Sequence, residues 1–142
     1  MSDFNTGVIE QFRTNDGQVG APFEGRPMVL VHHVGAKSGE ERVTPLVYLP
    51  DGERIVIIAS AAGAPRHPAW YHNLKANPTV TVEVADGKGN VETWSGVAEE
   101  ITGAERDELY ARQVEVMPGF AGYEDKTRGV RTIPVFAVTR AA

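Results

Sequence analysis

The chain has 142 residues, with 19 acidic and 14 basic side chains, a net charge of −5 and no cysteine. That length fits one domain, expected over residues 1–142 with an N-terminal helix and loop over 1–21. The missing thiol excludes disulfides, thiolate metal sites and cysteine nucleophiles, and the acidic balance argues against nucleic acid as a partner, since that binding depends on neutralising phosphates.

The chain opens without a basic leader and apolar core. Its longest apolar run, Ile55–Ala59, falls far short of the ~20 residues a spanning helix needs. The expectation is a cytoplasmic protein with no spanning segment, either free or peripheral at the inner membrane face. Asn5 or Thr6 is the expected cap of a first helix that presents Val8, Ile9 and Phe12 on one face. Asn15 to Arg26 reads as a connecting loop. Strands follow over Pro27–Val34, Val43–Leu49 and, after the Asp51-Gly52 turn, Arg54–Ser60.

Pro68 starts a helix carrying Trp70 and Leu74 one turn apart, and Asn77-Pro78 ends it. Thr79 to Ala85 alternates, with Val80, Val82 and Val84 on one face. Asp86–Asn90 is a turn, and Val91–Ile101 is a further strand. Thr102 and Glu105 match a capping box, and Leu109, Tyr110, Val114 and Met117 give the helix behind it an apolar side. Pro118-Gly119 stops that helix. A loop with Phe120 and Tyr123 leads to a last strand, Ile133–Thr139. Hairpin connections dominate this order. They predict a mainly β, α+β fold: six mostly antiparallel strands in a small barrel with flanking helices.

Three segments carry candidate chemistry. Gly35 to Arg42 joins two strands, with glycines that free backbone N–H groups and with Lys37, Ser38 and Arg42 adding charge and a hydroxyl. It reads either as an anion-binding loop for a phosphate or carboxylate or as a solvated hairpin. Walker spacing is absent, and no helix follows. Ala59 to Leu74 ends a strand in small residues and opens a helix. It reads either as a wall for a flat ligand or as an ordinary strand-to-helix turn with Trp70 as a core anchor. Tyr123, protonated at neutral pH, reads as a pocket-closing proton donor or as a packing tyrosine.

No metal site is expected. His67 and His72 are five apart, which puts them on different faces of a helix. Of the adjacent His32 and His33, one should point inward as a satisfied core histidine. There is no G-x-S-x-G elbow and no G-x-G-x-x-G after a strand, so hydrolase and nicotinamide chemistry have no support.

The text G-A-K-S-G-E-E-R-V-T-P-L from Gly35, A-S-A-A-G-A-P-R-H-P-A-W-Y-H-N-L-K-A-N-P from Ala59, and R-T-I-P-V from Arg131 resembles the deazaflavin-dependent nitroreductase and F420H2-dependent quinone reductase family of actinobacteria. The resemblance runs from about Pro22 to Val138. It implies a split β-barrel, monomeric or homodimeric, and reduced coenzyme F420 as cofactor. It also implies a small flat electron acceptor: a quinone, a nitroaromatic or an activated enone or lactone.

By that resemblance, Lys37, Ser38 and Arg42 hold the cofactor's anionic tail, and Val43, Thr44 and Pro45 line its groove. Ala59 and Ser60 lie against the ring. Trp70, Tyr71 and Asn73 support the ring side, and Tyr123 lines the acceptor pocket. The chain departs from the family pattern at Ala36, where a basic residue is common, at Ala61, where some members have lysine, and at His32 and His33, where threonine is frequent. The alternatives are FMN chemistry on the same barrel or a carrier that binds F420 without turnover.

Overall fold

The computed structural model describes residues 3–20, 23 and 25–141. Its elements in chain order are α1 (Asp3–Thr14), β1 (Met28–Val34), β2 (Glu41–Val47), β3 (Leu49–Asp51), β4 (Arg54–Ile58), α2 (Ala69–Ala76), β5 (Thr79–Ala85), β6 (Val91–Ile101), α3 (Gly103–Val116), α4 (Gly119–Thr127) and β7 (Val135–Arg140). One curled antiparallel sheet runs β2-β1-β5-β6-β7-β4-β3. Its two edge strands are consecutive in the chain, so Tyr48 alone bridges the seam of a split barrel.

That seam makes seven strands where six were expected. The ladder with β1 ends at Val47, opposite Met28. Tyr48 turns away, its hydroxyl donating to the Ala85 carbonyl at 3.0 Å, and Leu49–Asp51 pairs with β4. Pro45 and Pro50 both lie on edge strands, where a missing N–H is tolerated.

Side chains alternate across the sheet, and each face has its own core. Val29, Val31, Ile55, Ile57, Val82, Phe136 and Val138 turn inward, where Trp70 and Leu74 of α2 plug the barrel. The outer face is covered in two pieces. Val8, Ile9 and Phe12 of α1 lie on Met28, Leu30 and Ala85. Leu109 and Tyr110 of α3 and Phe120 of α4 lie on Val56, Ile58, Val135 and Ala137. Two covers on one face leave a cleft between them.

Other expectations shift at element ends. α1 begins at Asp3, ahead of Asn5 and Thr6. Thr102 precedes α3 but forms no side-chain cap, and Glu105 accepts from Arg54 at 2.9 Å instead of reaching back to the helix start. The segment after Pro118 is a helix rather than a loop. Tyr110 pins its first turn by donating to the Phe120 carbonyl at 2.6 Å. His67 lies before α2, not on it, with its ring 4.3 Å from that of Tyr71.

Candidate active site

The turn after β4 has an uncommon backbone. Ala61, Ala62 and Gly63 take φ values of 46°, 54° and 82° in succession. The left-handed region costs a non-glycine residue about 1–3 kcal/mol, so something must hold the two alanines there. Arg131 does. Its guanidinium donates to the carbonyls of Ala64 at 3.0 Å, Ala59 at 3.1 Å and Ser60 at 2.8 Å. It also meets Nδ1 of His67 at 3.0 Å. Among the described residues Arg131 has no carboxylate partner, and burial lowers its pKa. Burial and then the Arg131 charge hold the His67 pKa down, which leaves its Nδ1 lone pair free to accept.

Helix α4 packs directly on this turn. A Cβ on Gly63 would lie 2.7 Å from Cδ of Lys126 and 3.3 Å from Cα of Tyr123. Gly63 therefore brings Tyr123 against the turn. Tyr123 is half-buried, its ring 5.0 Å from that of Phe120.

A partly enclosed cavity of about 170 Å³ fills the cleft between the two covers. Its strand wall is Met28, Pro45, Val47, Val56 and Ile58, continued by Ser60 and Ala62. Its helix wall is Gln113, Met117, Phe120 and Tyr123, with Val8 and Phe23 at one end. No described lining residue carries a charge. An apolar cavity of roughly 150 Å³ holds an aromatic ring, so this one has room for a flat ring.

The structure thus brings Pro45, Ser60 and Tyr123 together. Ala59, fully buried, ends the strand behind Ser60. Along β2 the outward side chains step from Val47 and Pro45 in the cavity through Val43 toward the hairpin tip, about 7 Å for each pair of residues. At that tip Lys37, Ser38 and Arg42 are exposed. Lys37 has no ion-pair partner among the described residues, and Arg42 is 3.9 Å from Glu40. Arg42 and Thr44 share the opposite face of β2 from Pro45.

Trp70, Tyr71, Thr44 and Asn73 lie away from the cavity. Trp70 packs in the inner core with its ring 5.9 Å from that of Phe136, and Tyr71 stacks between His67 and Phe136. Asn73 acts on the hairpin loop from behind. Its Oδ1 accepts the Ala36 N–H at 2.9 Å, and its Nδ2 meets Nδ1 of His33 at 3.0 Å. His33 in turn meets the Thr44 hydroxyl through Nε2 at 2.9 Å. Burial first, then the charges of Arg42 and His32, lowers the His33 pKa to about 4. A neutral ring protonated on Nε2 satisfies both contacts. His33 is thus the satisfied inward histidine. His32 lies between Glu83 and Glu41, at 2.6 and 3.1 Å.

Sequence reasoning missed two residues here. Arg131 carries no local sign of its role within R-T-I-P-V, because its bonds to the turn cross 67 to 72 residues of chain. Gln113 was readable: it falls four residues after Leu109 and four before Met117, a polar side chain on an apolar helix stripe.

The family model for F420H(2)-dependent quinone reductases matches residues 6–140. The chain belongs to this family. An F420H(2)-dependent quinone reductase of Mycobacterium tuberculosis is 36% identical over 135 residues, which cover 91% of this chain and 85% of the relative. A solved structure described as an F420-H2 dependent reductase is 41% identical, with a TM-score of 0.68 over 80% of this chain and 94% of that one. Another, described as a domain-swapped dimer, is 39% identical, with a TM-score of 0.69 over 94% of this chain and 92% of that one. For the family member in hand the cofactor is therefore F420 in its reduced form; the FMN alternative has no support. No described helix of this reductase is long and apolar enough to cross a membrane.

Proposed function

We propose that this reductase uses F420H2 to reduce a small, flat, neutral acceptor in the cavity between the strand wall and α3–α4, a quinone first among them. Nitroaromatics and activated enones or lactones share the flat, oxygen-bearing shape and belong to the same acceptor class. One observation carries the reading: Pro45, Ser60 and Tyr123 meet in a cavity whose described lining is uncharged, with the exposed Lys37 and Ser38 in the hairpin that leads into the same strand.

The residues fit the cofactor in two ways. The turn at Ser60–Gly63 puts small side chains beside the cavity, so a flat ring can approach the backbone closely. Lys37, Ser38 and Arg42 suit a phosphate or carboxylate tail. When bound, F420H2 supplies a hydride from its ring carbon together with a proton equivalent. Lys37 and Ser38 bind the tail at the hairpin tip, Arg42 adds its charge from the opposite face of β2, and Val43 and Pro45 guide the ring end toward the cavity. Arg131 keeps the turn in shape without touching the ligand. Met117 and Phe120 exclude water. The Tyr123 hydroxyl, which no described side chain engages, delivers a proton to the acceptor oxygen as it gains negative charge, and recovers it from solvent, which takes up the cofactor's own proton.

The test is a fluorescence titration of the purified protein with F420H2 and FMN, followed by oxidation of F420H2 with 1,4-naphthoquinone as acceptor. F420H2 should bind and FMN should not, and the quinone should drive turnover. Tyr123→Phe should lower kcat by about 10²- to 10⁴-fold, the usual contribution of a positioned acid, and leave the Kd for F420H2 unchanged. Binding without turnover would overturn the enzymatic reading in favour of a carrier. An unaffected kcat in Tyr123→Phe would remove that residue from the chemistry.

A further inference from the structure

Gln113 is out of place in its surroundings. It is only 3% exposed, yet it lines a cavity built almost wholly from apolar side chains. Its backbone carbonyl takes the Met117 N–H at 2.8 Å. Its side-chain amide engages no described residue. No described side-chain N or O is both occluded and unpaired, so this amide keeps a small accessible area, and the cavity is the space it faces. A buried amide without a partner costs free energy that a leucine of the same shape would not. The fold places this cost in the one region where a ligand is expected.

We propose that Gln113 anchors the acceptor by donating an amide N–H to a ring carbonyl oxygen, and that it makes the cavity selective for carbonyl-bearing rings over bare aromatic ones. The inference rests on the reductase reading and adds the residue that recognises the acceptor. The amide lies on α3, in the same wall as Met117, Phe120 and Tyr123. The cofactor reading uses the opposite wall, at Pro45 and Ser60. An amide also suits both states of a quinone. Its N–H donates to the carbonyl before reduction, and its Oε1 accepts from the hydroxyl afterwards. With Tyr123 as proton donor, Gln113 is a positioning residue that sets which ring oxygen the tyrosine meets.

The test compares wild type with Gln113→Leu, which preserves shape and removes the amide. In cofactor-free protein, calorimetry measures binding of 1,4-naphthoquinone and of naphthalene, the same ring without carbonyls. Wild type should prefer the quinone by roughly tenfold, the value of one well-made hydrogen bond to an otherwise unpaired group. Gln113→Leu should bind the two alike and melt higher than wild type. With F420H2 present, its KM for naphthoquinone should rise about tenfold while the Kd for F420H2 stays fixed. A preference that survives in Gln113→Leu overturns the assignment. So does a raised Kd for F420H2 with an unchanged quinone KM, which would give the amide to the cofactor. Failure of wild type to bind F420H2 would overturn the reductase reading alone, because the naphthoquinone and naphthalene arms still decide what Gln113 recognises.

Discussion

Arg131 is the residue on which the cavity's shape depends most. Three carbonyls of one turn point at a single planar fork, an arrangement that a lysine's point charge cannot reproduce. The charge is compensated by dipoles and not by a carboxylate, so the interaction is short-ranged and insensitive to salt. Arg131→Met removes the donor to the carbonyls of Ala59 and Ala64 and leaves the Ser60 carbonyl with only the Gly63 N–H, beside two strained alanines. It should cost about 2–4 kcal/mol in urea unfolding at pH 7, since hydrogen bonds to charged groups are each worth about 1.5–3 kcal/mol and the site is only partly buried. A loss below about 1 kcal/mol would mean that the turn holds itself. His67 gives a parallel signature in wild type. Its ring stays neutral because burial and the nearby guanidinium both disfavour a second cation. Tyr123 depends on this turn indirectly, through α4, the helix that packs on it.

The turn and α4 interlock through Gly63, and the position is doubly constrained. Its φ of 82° disfavours a side chain, and a Cβ would run into Lys126 and the Tyr123 backbone. Gly63→Ala should push α4 outward. We expect it to lower stability by about 1–3 kcal/mol and to raise the quinone KM more than it changes the Kd for F420H2, because α4 forms the acceptor wall. Equal changes in the two constants would show that the walls move together. How far such elements were readable follows the strength of their local signals. β5 and β6 match expectation end to end, because Thr79–Ala85 alternates cleanly and Asp86-Gly87 supplies the turn. β3 gave no signal: it is three residues long, contains Pro50 and exists because the barrel's seam needs an edge beside β4. α4 was read as a loop because Gly119 and Gly122 weaken its propensity, and its helix forms through packing of Phe120 and Tyr123. Pro45, Ser60 and Tyr123 came from likeness to a family. Their meeting in one cavity depends on contacts between distant elements that no local pattern encodes.

At the scale of the whole molecule, a polar chain ties the hairpin loop to the barrel. Ala36 N–H, Asn73, His33 and Thr44 link α2, β1 and β2 behind the loop that carries Lys37 and Ser38. The central link requires His33 to be neutral, because Nδ1 must accept from Asn73. The His33 pKa lies near 4 in the folded protein, against an ordinary value of 6.5. Between these values the unfolded chain binds a proton that the folded chain refuses, so stability rises with pH across that window and is fully present above it. The Asp51 carboxyl, held down by Arg112 and Arg54, loses its contribution only at lower pH, as its own folded-state pKa is crossed. Acidification from pH 7 to pH 4.5 should therefore cost wild type about 2 kcal/mol through His33. His33→Gln presents an amide oxygen to Asn73 and an amide N–H to Thr44 without a titrating group. Its urea midpoint should change much less over the same range, and it should equal or exceed wild type at pH 4.5. Parallel pH profiles for the two proteins would show that some other group governs acid sensitivity, and that the polar chain behind the loop tolerates a charged His33.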